Sequence, residues 1–372
     1  MRITFVISSL NCGGAQKVIS TMANYWAEKG FAITIFTFDD GSTAPFYPLK
    51  SNIIHNHLNL SNKSINVSGK IRNQLIKIRS LRKNITQNSP DITISFIHKT
   101  NMVTTLALLG TGIPLIISER NDPHWDKIGR FGKVARHMVY PLADLLVVQT
   151  KHIRDYFPKM LRSKIQIIPN PVSLPEKFNT KGKPLYLKKP AIIAMGKFQR
   201  QKGLDILIKA FSHLKKKHPR WSLTILGDGE LRPDFEKLAG SLGLSDCVFF
   251  PGVVNNPYHY MQHADLFVMP SRYEGFPNAL CEAMAFGLPV ITTNFSSAEE
   301  IVGKDESAGM IVPIENIPAL AKAMDELIRD NNRRKRLASQ AQQISNRFEL
   351  NSIMNQWEKW VQLCINQGRL DK

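Results

Sequence analysis

The sequence predicts an α/β protein made of two doubly wound domains, each with a parallel sheet covered by helices on both faces. Short apolar runs alternate with helical patterns along the whole chain, which is typical of this class. The alternation breaks once, in a stretch with five prolines between Pro169 and Pro190, and restarts at Ala191. A length of 372 residues is enough for two such domains.

The strand-like runs define the order of elements. In the first half we expect strands at 3–8, 32–37, 92–96, 115–118, 145–149 and 165–168. In the second half we expect them at 191–195, 222–226, 248–251, 266–269, 289–292 and 309–312. The expected organisation is a first domain at 1–172, a linker at 173–190, a second domain at 191–350 and a C-terminal helix at 351–372. Trp357 and Trp360 in that helix predict that it packs back toward the first domain.

Composition limits the classes of function. The chain has 49 Lys and Arg residues against 30 Asp and Glu residues, a formal net charge of +19, which indicates an anionic partner. A hydrophobic content of 43% excludes a disordered chain. The four cysteines are scattered, which argues against a disulfide framework or a structural zinc site and favours a reducing compartment. The uncharged stretch 100–118 contains Gly110, Gly112 and Pro114, so it predicts a helix, a turn and a strand rather than a membrane span.

Glycines occur at two turns where a phosphate could approach the backbone. Gly13 and Gly14 follow the first strand and precede a helix whose N-terminus offers N–H donors. Their spacing is neither that of a dinucleotide-binding loop nor that of a P-loop, and a purely structural turn is an equal alternative. Gly227 lies in a Gly-Asp-Gly turn after strand 222–226.

A basic loop begins the second domain. Lys197, Arg200 and Lys202 follow strand 191–195, at the carboxyl end of a parallel strand where ligands of such sheets bind. Their side chains would converge on a pyrophosphate and neutralise a leaving group. The alternative is a solvated basic loop, but the position on the sheet favours a binding function.

Two glutamates stand close together further along the chain. Glu274 lies in the loop after strand 266–269, and Glu282 lies about one turn inside the next helix. The amides at that helix N-terminus suit an anionic or hydroxylated ligand, and a carboxylate can accept hydrogen bonds from two hydroxyls of a sugar. In the structural alternative, Glu282 pairs with a lysine and Glu274 is an ordinary loop residue.

These motifs resemble those of the retaining glycosyltransferases of family 4, which have the GT-B fold. The N-terminal Gly-Gly pair, the basic loop ending in Lys-Gly, the Gly-Asp-Gly turn and the Glu-x7-Glu pair occur in the family's order over essentially the whole chain. Segments 94–101 and 115–119 further resemble bacterial enzymes that build N-acetylhexosamine-containing glycans on polyprenyl diphosphate. The resemblance implies two Rossmann-like domains facing a cleft, a UDP-linked hexose or N-acetylhexosamine donor, and a glycan or polyprenyl-diphosphate-linked acceptor.

The resemblance also implies roles for individual residues. Lys202 would bind the donor diphosphate, Lys197 stands at the family's usual arginine position, and Arg200 would take part of that role. Glu282 would bind the ribose and Glu274 would face the donor sugar. The remaining donor contacts would come from the backbone of Phe276, Pro277, Asn278, Ala279 and Leu280, from Gly227 at the base, and from Gly13 and Gly14 over the diphosphate.

The implied mechanism is retaining transfer without an obligate protein nucleophile. Neither a cofactor nor a metal is expected, because family members generally work without a metal and no Asp-x-Asp sequence follows a strand here. His98 and Glu119 follow neighbouring first-domain strands and could face the acceptor, His98 with a direct catalytic role. A packed or solvated histidine is the alternative. Glu300 matches a recurring family glutamate.

The segment from residue 70 to residue 83 is strongly basic. It has six cations and no acid, the cations being Lys70, Arg72, Lys77, Arg79, Arg82 and Lys83. Ile71, Leu75, Ile78 and Ile85 fall on one helical stripe. The segment predicts either a surface helix docked on the core or a basic amphipathic helix that binds an anionic membrane surface or the diphosphate of a lipid acceptor. We expect a cytoplasmic protein bound peripherally to the cytoplasmic face of the inner membrane.

Two other functions stay open at this point. A nucleotide-sugar 2-epimerase of the same fold would convert the nucleotide sugar without an acceptor. A nucleic-acid-binding protein is favoured only by net charge, because the chain has no zinc-finger spacing, RNP-like strand or recognition helix. We therefore expect no nucleic-acid partner.

Overall fold

The chain forms two compact units. The computed structural model describes residues 1–60, 67–125, 128–174, 184, 186–303 and 307–370. One unit consists of Met1–Pro171 together with Asn351–Lys372, and the other consists of Val172–Leu350. Most of the expected linker at 173–190 lies outside the described residues. Leu174 and Leu187, which are described, pack against the core of the second unit.

Each unit is built on one parallel sheet. In the first unit the strands are β1 (Arg2–Ile7), β2 (Ala32–Thr37), β3 (Ile54–His57), β4 (Ile92–Phe96), β5 (Leu115–Ser118), β6 (Leu145–Val148) and β7 (Ile165–Ile167). In the second unit they are β8 (Ala191–Met195), β9 (Ser222–Leu226), β10 (Val248–Gly252), β11 (Leu266–Met269), β12 (Val290–Thr293) and β13 (Met310–Val312). The orders are β3-β2-β1-β4-β5-β6-β7 and β10-β9-β8-β11-β12-β13. In both units the order reverses direction once, which is the doubly wound arrangement.

Helices connect the strands. In the first unit they are α1 (Gly14–Glu28), α2 (Val67–Asn88), α3 (His98–Leu108), α4 (Gly129–Val139) and α5 (Lys151–Tyr156). In the second unit they are α6 (Leu204–Lys215), α7 (Arg232–Ser241), α8 (Pro257–His263), α9 (Asn278–Ala285), α10 (Ala298–Val302), α11 (Ile317–Arg329) and α12 (Asn331–Ser345). The last helix, α13 (Leu350–Leu370), returns to the first unit. Within the described residues, no helix is both long enough and apolar enough to cross a membrane.

Strand β3 was not expected from the sequence. It has the sequence Ile-His-Asn-His and forms the edge of the first sheet, paired only with β2. Ile54 is 57% exposed, so this strand buries no apolar face of its own. The backbone ladder to β2 holds it, and hydrophobic patterning cannot predict such a strand.

Helix α2 combines the two alternatives that its sequence left open. Leu81 and Ile85 near its C-terminal end are fully buried and pack in the core of the first unit. Ile71 and Leu75 near its N-terminal end are 60% and 48% exposed. Only the C-terminal half of the expected apolar stripe therefore packs on the core, and the apolar side chains of the N-terminal half stay exposed.

Helix α13 is attached to the first unit through Trp357. The Trp357 side chain is fully buried, and the guanidinium of Arg120 lies 5.7 Å from its ring centroid. Next to it, Glu358 Oε1 accepts a hydrogen bond from Trp26 Nε1 at 3.1 Å and one from Lys29 Nζ at 2.8 Å. The burial of a large aromatic side chain supplies most of the energy of this attachment, and the polar contacts orient the helix.

The first prediction concerns this attachment. Trp357→Ala should lower the free energy of unfolding of the first unit by about 3–5 kcal/mol, because it removes a large buried ring and leaves a cavity. Native-state hydrogen exchange, read on peptides from β1 and β4, measures this loss. The exposed neighbour Lys359 provides the control, since Lys359→Ala should stay within about 0.5 kcal/mol of the parent protein. Equal loss of protection in β8 and β9 would contradict the assignment of α13 to the first unit.

Candidate functional site

The candidate residues lie at the point in each sheet where the strand order reverses. In the first sheet this point lies between β1 and β4, and in the second it lies between β8 and β11. Because connections on the two sides of such a point leave toward opposite faces, a crevice opens at the carboxyl ends of the two strands. The Gly13–Gly14 turn and His98 follow β1 and β4, while the basic loop and Glu274 follow β8 and β11.

Lys202 and Glu274 form an ion pair across the crevice of the second unit. Lys202 Nζ lies 2.7 Å from Glu274 Oε1, and their side chains are 22% and 6% exposed. Ser271 Oγ donates a second hydrogen bond to the same carboxylate oxygen at 2.6 Å. Two residues that the sequence predicted separately are thus brought together. The pair places one cation and one acceptor carboxylate side by side.

Close backbone approach fixes the two loops that carry this pair. Gly203 has a φ of 62°, and a Cβ there would lie 2.0 Å from the carbonyl oxygen of Pro270. Gly227 has a φ of 128°, and a Cβ there would lie 2.0 Å from the carbonyl oxygen of Gly196. Only glycine fits either position, because both the backbone conformation and the space exclude a side chain. The glycines therefore let the loops after β8, β9 and β11 pack on one another.

Arg272 holds the basic loop to the glutamate loop, and the sequence analysis assigned it no role. Its guanidinium binds the Asp205 carboxylate through two hydrogen bonds of 3.0 and 2.9 Å. It also donates to Glu315 Oε1 at 2.7 Å and to the carbonyl oxygen of Arg200. Burial alone would raise the pKa of Asp205, but the hydrogen bonds and charge of Arg272 outweigh this effect, and the pKa lies below its ordinary value.

The other basic residues of the loop are not drawn into the ion pair. The side chains of Lys197 and Arg200 are exposed, whereas Phe198 between them is fully buried. Phe198 anchors the loop by packing edge-on against Phe235 and Phe250 at ring distances of 5.7 and 6.0 Å. The loop thus has a rigid apolar base with two cations on its outer side.

Glu282 lies in α9, the helix that follows the glutamate loop. Its side chain belongs to the buried polar groups, with 5% exposure. Burial and the charge of Glu282 together raise the pKa of the neighbouring Cys281 thiol. Phe276 and Leu280 are buried in the core of the second unit, so only their backbone groups are available to a ligand. Pro277 occupies the N-cap position of α9, which starts at Asn278, and Ala279 lies in the first turn of the helix.

In the first unit, the Gly-Gly turn and His98 begin neighbouring helices. Gly13 has extended backbone and caps α1, which starts at Gly14. His98 is half-buried and is the first residue of α3. The residue before it, Ile97, has a φ of 75°, a left-handed conformation that is costly for a β-branched side chain. Such strain collects at functional sites, which favours a role for this turn.

The expectation that Glu119 faces an acceptor is wrong. Its side chain is fully buried, and Glu119 Oε2 accepts a hydrogen bond from the Tyr140 hydroxyl at 2.7 Å. Arg136, also fully buried, lies 3.9 Å from the same oxygen. Burial and the negative charge of Glu119 raise the pKa of Tyr140 well above its ordinary value. Glu119 is part of an internal polar network.

Glu300 lies half-buried in α10, and its carbonyl oxygen accepts a hydrogen bond from Arg347 at 3.1 Å.

The second prediction tests the Arg272–Asp205 contact. Arg272→Ala should lower the free energy of unfolding by about 1–3 kcal/mol, because the half-buried Asp205 loses its charged hydrogen-bond donors. Since the pKa of Asp205 is lowered in the folded state, this stabilisation is present above the unfolded-state pKa of about 4 and is lost as pH falls through the folded-state value. Urea unfolding of both proteins at pH 7 and below pH 4 measures the difference, which should shrink in acid.

Arg329→Ala serves as the control for this prediction. Arg329 is 61% exposed and pairs with Asp325 one helical turn away at 3.0 Å. Its removal should cost at most about 0.5 kcal/mol at pH 7. An equal effect of both substitutions would show that Arg272 is an ordinary surface cation.

Two protein families match the chain, one after the other. The family described as Glycosyltransferase Family 4 matches residues 12–175. The family described as Glycosyl transferases group 1 matches residues 176–344. Together the two matches cover most of both units.

Two curated relatives from Campylobacter jejuni are similar over nearly the whole chain. The first is described as GalNAc-α-(1→4)-GalNAc-α-(1→3)-diNAcBac-PP-undecaprenol α-1,4-N-acetyl-D-galactosaminyltransferase, and it is 29% identical over 97% of this chain and 98% of its own length. The second is described as N-acetylgalactosamine-N,N'-diacetylbacillosaminyl-diphospho-undecaprenol 4-α-N-acetylgalactosaminyltransferase. It is 26% identical over 94% of this chain and 96% of its own length.

Solved structures of other proteins share the fold. Sucrose-phosphate synthase from Thermosynechococcus elongatus superposes with a TM-score of 0.80 at 18% identity, over 98% of this chain and 99% of the other. Anabaena HepE in complex with UDP and glucose superposes with a TM-score of 0.77 at 19% identity, over 97% and 99%. The predicted fold class is confirmed: two parallel sheets of Rossmann-like type. The chain therefore belongs to glycosyltransferase family 4 and is a glycosyltransferase with the GT-B fold.

Proposed function

We propose that this glycosyltransferase moves a hexose or N-acetylhexosamine from a UDP-linked donor to a polyprenyl-diphosphate-linked glycan, with retention of the anomeric configuration. The observation that carries the proposal is the Lys202–Glu274 pair at the reversal point of the second sheet. A nucleotide sugar needs a cation for its diphosphate and an acceptor for its sugar hydroxyls, and this pair provides one of each.

In this proposal the second unit holds the donor through its two glycine-bearing loops. Lys202 binds the diphosphate, and the exposed Lys197 and Arg200 add positive charge at the same loop. Glu274, released from Lys202, accepts hydrogen bonds from the sugar hydroxyls. We propose that the reaction needs neither a metal nor a cofactor, because these cations supply the charge that the departing diphosphate requires.

The remaining donor contacts follow from the start of α9 and from the Gly-Asp-Gly turn. Helix α9 begins at Asn278, directly after the loop that carries Glu274, and the N–H groups of a helix's first turn face the chain that precedes it. We propose that Glu282 binds the ribose hydroxyls and that backbone near Gly227 lines the base pocket. The choice of uridine is supported by the bound UDP in the Anabaena HepE structure, which shares the fold.

The chemistry proposed is a displacement on one face of the sugar. The bond from the anomeric carbon to the diphosphate oxygen breaks while the bond to the acceptor oxygen forms on the same face. The acceptor hydroxyl gives its proton to the leaving diphosphate oxygen, so the products are the extended glycan and UDP. No protein nucleophile takes part, and the catalytic contribution is the stabilisation of the leaving group by cations.

We propose that the first unit binds the acceptor. The two Campylobacter relatives act, by their descriptions, on glycans attached to undecaprenyl diphosphate. His98 is the candidate for a direct role in this unit, because it follows the strained Ile97 at the reversal point of the first sheet. The Gly13–Gly14 turn lies at the same reversal point, and we propose that it closes over the diphosphate.

The third prediction tests the transfer reaction itself. The full chain is incubated with a panel of UDP-sugars and GDP-sugars and with polyprenyl-diphosphate-linked acceptors, and the products are read by mass. We expect one UDP-sugar to give an acceptor whose mass has risen by one sugar residue. The anomeric coupling constant of the product should match that of the donor, since the configuration is retained. Conversion of the donor without any acceptor would instead indicate an epimerase.

Two variants locate the donor site within this assay. Lys202→Met and Glu282→Ala should each lower the transfer rate at least about a hundredfold, because each removes a charge that contacts the donor. Lys209, an exposed lysine of α6, gives the matched control Lys209→Met, which should keep the parent rate. Full activity in Lys202→Met would contradict the assignment of the donor site but not the proposal that the protein transfers a sugar.

We further propose that the first unit docks on the anionic face of a membrane through α2. Arg72, Arg79 and Lys83 are exposed there, beside the exposed Ile71 and Leu75. Cations flanking apolar side chains are the composition that lipid headgroups attract.

The other basic residues of α2 contribute less to the proposed membrane docking. Lys77 is half-buried, and its ammonium lies 5.6 Å from the ring of Phe38. Burial, together with the charge of Lys99, lowers the pKa of Lys77. Arg82 donates to the carbonyl oxygens of Ala107 and Leu109 at 3.1 and 2.8 Å, which closes the end of α3. The side chain of Lys70 lies outside the described residues.

Helix α4 offers a second apolar surface that the sequence analysis did not identify. Phe131, Val134 and Met138 are 94%, 57% and 70% exposed and follow one another at helical spacing. Arg130 beside them is exposed. Large apolar side chains in such a row indicate a docking surface rather than ordinary solvent exposure.

The fourth prediction tests membrane docking by flotation with vesicles. Arg72→Gln combined with Arg79→Gln should weaken binding to anionic vesicles by about 2 kcal/mol, about thirtyfold, because each cation contributes about 1 kcal/mol. Lys335→Gln combined with Arg336→Gln removes the same charge from α12 in the second unit and should have little effect. Equal binding to neutral and anionic vesicles, or binding that high salt does not weaken, would contradict the proposal.

The α4 surface is tested in the same assay. Phe131→Ser should reduce binding to anionic vesicles, since a 94% exposed ring would insert at the acyl boundary. Met160, which is equally exposed outside α4, gives the control Met160→Ser.

A further inference from the structure

Two histidines and an aspartate meet at the carboxyl-terminal edge of the first sheet. Asp122 and His124 lie in the segment that follows β5, and His152 is the second residue of α5, which follows β6. His124 Nδ1 lies 2.8 Å from Asp122 Oδ1, and His152 Nε2 lies 3.4 Å from Asp122 Oδ2. One ligand atom from each residue can be chosen so that all three lie within 4.8 Å of one another.

The burial of the three residues suits an ion that enters from solvent. The Asp122 side chain is fully buried, whereas those of His124 and His152 are 41% and 39% exposed. The two imidazole rings lie 4.4 Å apart, and the ring of Tyr156 packs edge-on against His124 at 4.9 Å. The backbone N–H of His124 donates to Asp122 Oδ1 at 3.0 Å. The buried aspartate is thus held by the backbone N–H of His124, and the two partly exposed imidazoles lie beside it.

We propose that Asp122, His124 and His152 form a site for a divalent transition-metal ion of the zinc type. Two imidazoles and one carboxylate are a preferred ligand set for Zn²⁺, with bonds of about 2.0–2.2 Å. Ligand atoms around a tetrahedral zinc lie about 3.4 Å apart, so a modest closing of the histidines completes three positions. The remaining position is open to water or to an anionic oxygen.

The site uses none of the residues proposed to hold the donor. It lies beyond β5 and β6, whereas Lys202, Glu274 and Glu282 belong to the second unit. It also lies on strands other than β1 and β4, which carry the Gly13–Gly14 turn and His98. The metal proposal therefore stands or falls independently of the proposed transfer reaction.

The fifth prediction is direct metal binding, with Zn²⁺ and Co²⁺ as probes. The full chain is used without an affinity tag and in a Cys12→Ser background, because Cys12 is an exposed thiol that would bind zinc itself. After treatment with a chelator and gel filtration, the protein should take up one Zn²⁺ per chain, measured by elemental analysis. Co²⁺ should give visible ligand-field absorption, and Zn²⁺ should raise the melting temperature.

Variants decide whether the cluster is the site. His124→Ala and His152→Ala should each weaken Zn²⁺ binding at least about tenfold, measured by competition with a chromophoric chelator. His137 supplies the matched control, because it is half-buried on α4 and stacks on the same Tyr156 ring at 5.8 Å. His137→Ala should bind zinc like the parent.

Two results would overturn the proposal. One is substoichiometric uptake of Zn²⁺ by the parent protein. The other is stoichiometric binding that survives in the double variant His124→Ala/His152→Ala, with near-UV circular dichroism confirming that the variant is folded. Either result would mean that the two imidazoles serve only as hydrogen-bond partners of Asp122.

Discussion

The whole arrangement depends on the parallel direction of every strand in the two sheets. Parallel strands need a crossover between them, so each strand-to-helix turn begins at the same edge of its sheet. Where the strand order reverses, two such turns diverge and leave space between them. The Lys202–Glu274 pair lies at this point of the second sheet, and the turn at His98 lies at this point of the first. At each point the two loops that meet are far apart in sequence.

Much of the fold could be predicted from the sequence because its strands are buried on both faces. The predicted strands at 32–37, 92–96, 115–118, 191–195, 222–226 and 266–269 have the bounds that the structure gives them. Strand β3 could not be predicted, because its backbone ladder rather than its apolar content holds it. The two halves of α2 could not be distinguished either. Whether Ile71 and Ile85 are covered depends on what packs beside the helix, and periodicity does not contain that information.

The candidate site was predictable only one loop at a time. Lys202 and Glu274 were identified because each follows a strand, but their contact at 2.7 Å depends on β8 and β11 being neighbours. Arg272 could not be identified for the same reason, because its partner Asp205 lies in the first turn of α6, far from Arg272 in sequence. Glu119 was placed wrongly because a position after a strand does not say whether the side chain turns inward. The histidines beside Asp122 were missed for a related reason, since no ligand spacing links His124 to His152 along the chain.

Because Lys202 and Glu274 pair with each other, a ligand that binds either residue has to displace the other one. A ligand that offers only an anion takes the lysine and leaves a buried carboxylate without its cation, which is costly. A ligand that offers an anion together with hydroxyl donors satisfies both residues. If the proposed function holds, the intact nucleotide sugar brings its sugar hydroxyls to Glu274, whereas the released nucleoside diphosphate has lost that sugar and keeps only the ribose hydroxyls, which are assigned to Glu282. The ion pair would then favour substrate over product, and its re-formation would help to expel the spent nucleotide.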